Sequence, residues 1–226
     1  MNRIISILIF YCLISCNNKD SLKNEENAVQ QVLNFYNGEC LKSKGFELEN
    51  GSNISFYELE ISNSELLNLK SQNLRKHSAN IAYLFYSNLN NEKKNYDKIK
   101  VKINLSDGDV QEFSYSSDDL VEVEKIKTYR NQIVKNIMDN DYGSLIKMFD
   151  DSVSIKQEEL SDLFSSIELQ YGKVVKTQFQ GFEYRESNNF GEVIVLNEAL
   201  LYDKTALSMD IIFNKENMKV IAIEFN

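Results

Sequence analysis

Residues 191–225 read GEVIVLNEAL LYDKTALSMD IIFNKENMKV IAIEF, and their alternation decides the fold class. Leu207, Met209, Ile211 and Phe213 share one parity with Ser208 and Asp210 on the other, and Ile221, Ile223 and Phe225 alternate with Ala222 and Glu224. Period two in short runs bounded by polar turns marks strands with one covered face. The turns fall at 203–204 and 214–217, so 191–202, 205–213 and 218–225 read as consecutive antiparallel strands. Working back, 173–184 alternates as well, and the polar stretch 186–189 joins it to the others as the first of four strands.

Ahead of these strands the spacing changes to three and four. Ile126, Tyr129, Ile133, Val134 and Ile137 form the apolar stripe of a long helix capped near Asp118-Asp119. A shorter helix follows at 142–149 through Leu145, Ile146 and Phe149, and a third at 157–171 through Leu160, Leu163, Phe164 and Ile167, stopped by Gly172. Three helices followed by a four-strand antiparallel meander make 119–226 an α+β domain.

Residues 27–118 read as a second small α+β domain. Val29, Val32, Leu33, Tyr36 and Cys40 predict an amphipathic helix over 27–44 that ends near Gly45. A strand over 53–61, a short helix capped by Ser62 or Ser64 and running to Leu74, and strands over 80–89, 96–105 and 110–116 follow. Ser106-Asp107-Gly108-Asp109 is a hairpin turn with glycine where a positive φ is needed. Each domain is thus expected to place helix first and an antiparallel meander after it, and 119–226 is expected to fold after deletion of the rest.

The phrases NDYGSLIKMFDDSV at 140–153 and LQYGKVVK at 169–176, in this element order, resemble small secreted domains of the nuclear transport factor 2-like superfamily. The region 27–118 resembles, over fewer features, cystatin-like relatives of the same α+β design. The resemblance covers 120–226 and implies a cone, three helices and four strands, whose sheet wraps a helix around an apolar pocket used for ligand binding or self-association. In such a pocket Asp210 or Glu224, with Tyr184 or Tyr202, would form the acid/base pair of an isomerase-like enzyme. The competing expectation leaves Asp210 and Glu224 facing water on the open side of a half-covered sheet.

Residues 1–16, MNRIISILIFYCLISC, carry one cation, Arg3, and then an apolar run from Ile4 to Ile14, the anatomy of a signal peptide. Leu13-Ile14-Ser15-Cys16 resembles the bacterial lipoprotein cleavage site. That resemblance implies cleavage before Cys16, palmitate-type lipidation of its sulfur, and a lipid anchor on the cell membrane or outer membrane, at the periplasmic or outer-surface leaflet. Residues 17–26 then read as a polar tether.

The chain has 226 residues, 25 basic against 34 acidic, with a formal charge of −9, which argues against nucleic-acid binding. Cys12 leaves with the leader and Cys16 is acylated, so Cys40 is a lone thiol, read as a small hydrophobe near a helix end. His77, the single histidine, lies in the polar string LRKHS and is expected in a surface loop. Asp139-Asn140-Asp141 lacks the spacing of a calcium loop, and Asp118, Asp119, Glu122 and Glu124 read as a helix N-terminus. No catalytic, metal or cofactor residues are therefore assigned. The functional expectation is a membrane-anchored envelope lipoprotein with a non-enzymatic binding role toward a protein partner or small ligand; the alternative is a small-molecule enzyme in the C-terminal pocket.

Overall fold

The computed structural model describes residues 19–69, 71–203 and 205–225; the leader 1–16, with the proposed lipidation site Cys16, lies outside them. In chain order the elements are α1 (Lys19–Tyr36), β1 (Glu39–Glu49), β2 (Ser52–Ser62), α2 (Glu65–Leu69), α3 (Leu74–Asn88), β3 (Lys98–Asn104), β4 (Val110–Ser116), α4 (Ser117–Met138), α5 (Tyr142–Ile146), α6 (Gln157–Tyr171), β5 (Lys176–Ser187), β6 (Gly191–Leu201), β7 (Ala206–Asn214) and β8 (Val220–Phe225). The protein is α+β, and its described strands form two four-stranded sheets.

The second half follows the sequence pattern closely. Three helices precede an antiparallel meander in the order β5-β6-β7-β8. Ser116, one turn before the expected Asp cap, starts α4: its hydroxyl accepts from the Asp119 amide at 3.0 Å. Asp141 caps α5 by accepting from the Ser144 amide, and Gly172, at φ +85°, ends α6. Asp150 ties the loop after α5 to the β7–β8 turn, accepting from Ser152 Oγ at 2.6 Å and Asn217 Nδ2 at 2.7 Å. A register shift after Ile212 sets Val220, rather than Ile221, opposite Phe213. Ile221 therefore joins Val193, Val195 and Ile212 in a small cluster on the far face of the sheet.

The first half departs from the sequence pattern in three places. Residues 19–26, expected as part of a tether, are the start of α1, and Glu25 is buried there, accepting from Tyr96 Oη at 2.6 Å and Lys44 Nζ at 2.6 Å. The helix ends at Tyr36 and not near Gly45, because Asn37 and Gly38 take positive φ and the chain reverses into β1. A side chain at Gly38 would stand 2.4 Å from the Ser62 carbonyl, so only glycine permits this approach. Cys40 consequently lies on β1 opposite Ile61, not on a helix.

The third departure changes the topology. Residues 80–89, expected as a strand, belong to α3, whose Ala79, Ile81, Ala82, Phe85 and Tyr86 are all buried. The middle of α3 is covered on all sides, and its unbroken apolar run Ile81–Tyr86 is short enough to resemble a buried strand. With α2 and α3 inserted between them, β2 and β3 pair in parallel, Phe56 opposite Lys98 through Ile61 opposite Ile103. The expected antiparallel meander of the first half is therefore a mixed sheet, β1-β2-β3-β4. Tyr57, Leu59 and Ile61 with Ile99, Val101 and Ile103 line its covered face, while Lys98, Lys100 and Lys102 face outward among Glu47, Glu49 and Glu60.

One apolar core runs through both halves. Each fully buried Leu, Ile or Phe in it contributes about 1.5–3 kcal/mol. Its centre is α3, which packs on α1, on the first sheet and on β5 of the second. Tyr83 of α3 meets Phe179 of β5 edge-on at 5.1 Å, and Tyr115 of β4 meets Phe182 at 5.7 Å.

Candidate functional site

The two faces of the second sheet differ in chemistry, and the register assigns every residue to one of them. Phe182, Tyr184, Ile194, Leu196, Met209 and Ile211 share the face toward the helices. Met209, Ile211 and Phe213 have no exposed surface, and the gap among Tyr83, Val123, Lys127, Arg130, Phe179 and Leu196 is only about 10 Å³. That volume is at the lower limit for one water. Glu198 points into this face with no exposure and is gripped by Arg130, whose Nε lies 2.5 Å from Oε1 and whose terminal nitrogen reaches Oε2. Burial pushes the Glu198 carboxyl up, and Arg130 opposes that shift by stabilising the anion.

The opposite face is polar at one end. Asn197 of β6 stands opposite Asp210 of β7, which stands opposite Glu224 of β8. Asp210 is 1% exposed, so it does not face open water as the half-covered-sheet expectation had it. Its Oδ1 accepts from Asn197 Nδ2 at 2.6 Å and lies 3.8 Å from Lys76 Nζ; its Oδ2 lies 3.4 Å from Arg185, which also holds Glu183. Tyr184 and Tyr202, the expected partners in acid/base work, are not brought to it. Tyr184 lies on the helix-facing side of the sheet and donates to Glu122 at 3.0 Å, while Tyr202 follows β6 and borders a separate cavity.

A bulge and a glycine let the first sheet's helix reach this polar end. The β5–β6 pairing shifts between Phe179 and Gly181, which leaves Gln180 as the extra residue. Gly181, at φ +137°, lies beneath α3 so closely that a Cβ there would sit 2.3 Å from the Lys76 carbonyl. The first turns of α3 therefore lie against the edge strand β5 and bound a cleft of about 290 Å³, with Asn73, Lys76, His77, Gln180, Asn197, Glu198 and Ser208 in its walls. Ala199, Ala206 and Leu207 give it an apolar side. Asn197 is 1% exposed, and its Oδ1, turned away from the Asp210 carboxylate that its amide nitrogen serves, has no hydrogen-bond partner.

His77 belongs to α3 and is buried, not in a surface loop. Its Nδ1 lies 3.2 Å from Tyr36 Oη, which also accepts from Asn80 Nδ2 at 2.9 Å. Burial raises the Tyr36 hydroxyl well above its ordinary range, so it stays protonated as a hinge between α1 and α3.

The remaining sequence candidates have structural surroundings. Burial pushes the Cys40 thiol up to about 11, which keeps it a neutral small hydrophobe. Glu124 pairs with Lys93 and Glu122 with Lys215. Among the described residues no group of three His, Cys, Asp or Glu is placed to hold a metal, and no helix is long and apolar enough to cross a membrane. A second cavity of about 70 Å³ opens between α4, α6 and Tyr202, against the stacked rings of Tyr142 and Phe164.

Sequence reasoning singled out Asp210 and His77 but missed Lys76, Gln180, Gly181 and Asn197. The available signal was Gly181, an isolated glycine inside a strand pattern, which marks a bulge or a close backbone approach.

No family model matches the chain, and no curated protein matches it. A solved structure of Bdellovibrio bacteriovorus Bd1075 is similar with a TM-score of 0.35 and 11% identity, over 78% of this chain and 62% of that one. The chain thus spans less than two thirds of that protein's length.

Proposed function

We propose that the protein is a bacterial envelope lipoprotein, anchored through lipid on Cys16, whose folded body binds a small ligand without transforming it. The anchor rests on the leader and the Leu13-Ile14-Ser15-Cys16 sequence. Two or three acyl chains, at about 0.8 kcal/mol per buried methylene, hold a protein on a membrane stably. The order of three helices and then the β5-β6-β7-β8 meander supports reading 119–226 as a cone of the nuclear transport factor 2-like kind. The observation that carries the binding role is the cleft beside α3, where Lys76, the polar Asn73, Gln180 and Ser208, and an apolar side of Ala199, Ala206 and Leu207 border one space. A binding role is favoured over acid/base catalysis because Asp210 and Glu224 lie on the sheet face opposite Tyr184.

The anchor is tested by expressing the chain in a bacterial host fed with a clickable palmitate analogue. Wild type is expected to incorporate label and fractionate with membranes, and Cys16→Ser to accumulate as an unlabelled precursor. Label on Cys16→Ser would overturn the assignment.

A further inference from the structure

We infer that β1 is a docking edge for a second copy of this chain, the two β1 strands pairing antiparallel about a two-fold axis so that two sheets become one. β1 is the outer strand of the first sheet and pairs with β2 along all 11 of its residues without a register shift. The turn between them, Asn50-Gly51, has positive φ at both residues, so Glu49 and Ser52 close a two-residue hairpin as a pair that exchanges both backbone bonds. Counting back in twos, Glu47, Gly45, Ser43 and Leu41 also bond inward to β2, while Leu48, Phe46, Lys44, Lys42 and Cys40 turn N–H and C=O outward. Among the described residues that outer row makes no backbone hydrogen bond. Sheet edges are ordinarily guarded by shortness, a bulge, proline or projecting lysines. The other three edges have such guards: β4 and β8 are 7 and 6 residues long, and β5 is bulged and lies beneath α3. β1 is long, regular and free of proline, and its lysines are drawn aside to Glu26 and Glu25 of α1.

What the strand displays selects the occupant. Phe46 and Leu48 share a face with Lys42 and Lys44 but stand opposite Ser55 and Asn53, beyond the reach of the core, and are 71% and 79% exposed. Leu41, on the other face, is 68% exposed. A two-fold axis perpendicular to the sheet keeps the covered faces of both copies on one side, so even-numbered residues meet even-numbered ones across the seam. Centring the pair on Lys44 or on Glu47 sets like charges face to face, and centring it on Ser43 sets Lys42 against Lys44. Centring it on Gly45 instead places Lys44 opposite Phe46 and Lys42 opposite Leu48; centring it on Phe46 brings the two Phe46 rings together and places Lys44 opposite Leu48. In both of these registers the lysine stems lie along exposed apolar side chains, and Glu47 and Glu49 face only Gly45, Ser43 or Leu41. The strand is complementary to itself in apolar and in charged surface, which favours a second copy over an unrelated strand.

The test is the light-scattering mass of the full chain in a mild non-ionic detergent, over a concentration series, for wild type, Leu48→Lys, Leu48→Glu and Phe46→Pro. In either register residue 48 faces a lysine of the second copy, so Leu48→Lys opposes like charges and Leu48→Glu unlike ones, at a position too exposed to disturb the fold. Phe46→Pro deletes an outward N–H and no bond of the hairpin. Melting curves check that the variants fold, and the two Leu48 variants decide the matter if Phe46→Pro melts early. Wild type is expected to pass from the mass of one chain to that of two as concentration rises. Leu48→Lys and Phe46→Pro are expected to weaken the dimer at least about tenfold, and Leu48→Glu to dimerise at least about tenfold more tightly than Leu48→Lys. Wild type staying monomeric throughout overturns the inference and leaves the edge to a strand of another protein. Equal dimers in all four, or equal loss in Leu48→Lys and Leu48→Glu, overturn it by placing association elsewhere or in apolar contact alone. None of these outcomes bears on the cleft beside α3 or on the lipid anchor at Cys16.

Discussion

Glu198 and Arg130 show how a charge survives in the covered face of a sheet. The carboxylate has no exposed surface and is served at both oxygens by one guanidinium, a planar fork matched to its geometry. Removing one partner strands the other, so Glu198→Ala is expected to lower unfolding free energy by about 3–5 kcal/mol, read by urea titration. The double change Arg130→Met with Glu198→Leu is expected to recover most of that loss, and equal losses in single and double variants would refute the pairing argument. Asp150 makes a pH prediction of definite sign. Hydrogen bonds from Asn217 and Ser152 hold its carboxyl well below the usual carboxylate range. A depressed folded-state value stabilises the fold above the unfolded value of about 3.9, and that contribution fades as pH falls through the acidic range. Asp150→Asn should therefore melt lower than wild type near about pH 7, with the gap holding down to about pH 4 and narrowing progressively below it. A gap that stays constant below about pH 4 as well would show that the ionised form does not matter.

At the scale of elements, α3 is where local pattern and tertiary placement part company. Covered by α1, the first sheet and β5 together, it carries the unbroken apolar run Ile81–Tyr86, and a run of that length bounded by polar residues reads equally as a buried strand. The strands were legible for the opposite reason. Lys98, Lys100 and Lys102 alternate with Ile99, Val101 and Ile103 because one face of that sheet meets water and the other the core. The same one-sided burial made α4, α6 and the four-strand meander readable, and the turn at Gly108, at φ +91°, with them. The cleft was not legible, since it is assembled from α3, the Gln180 bulge and β6, and no short window of sequence contains all three. Gly181 is the hinge of that assembly. Gly181→Ala would press a methyl to 2.3 Å from backbone at Lys76, which has no flexible side chain to yield. The expected cost is about 1–3 kcal/mol, read by urea titration, with weaker ligand binding as α3 lifts from the sheet. A variant as stable as wild type would mean that α3 does not bear on β5 this closely.

On the scale of the whole molecule, the position of α3 bears on whether 119–226 folds independently. The sequence divides into 27–118 and 119–226, each with its own sheet, and that division led to the expectation that the second half survives alone. Yet Phe179 packs against Tyr83 of α3 and Phe182 against Tyr115 of β4, both from the first half, and the polar contact of Lys76 with Asp210 crosses the same boundary. Cutting at 119 would bare the β5 surface that α3 covers and leave Asp210 without one of its cations. Aromatic rings of this size bury about 150–250 Å² each, and at about 25 cal/mol per Å² the loss of even part of that contact is comparable with a typical domain's whole stability of about 5–15 kcal/mol. Residues 119–226 expressed alone are therefore expected to show helix and strand signal in far-UV circular dichroism, to bind a hydrophobic dye, and to melt over a broad range. The full chain should lose both halves in a single cooperative transition, seen at the same midpoint by near-UV and far-UV signals. A sharp, dye-free melt of the fragment would show instead that the second sheet and its three helices hold enough core of their own, and that the contacts through α3 join two finished domains.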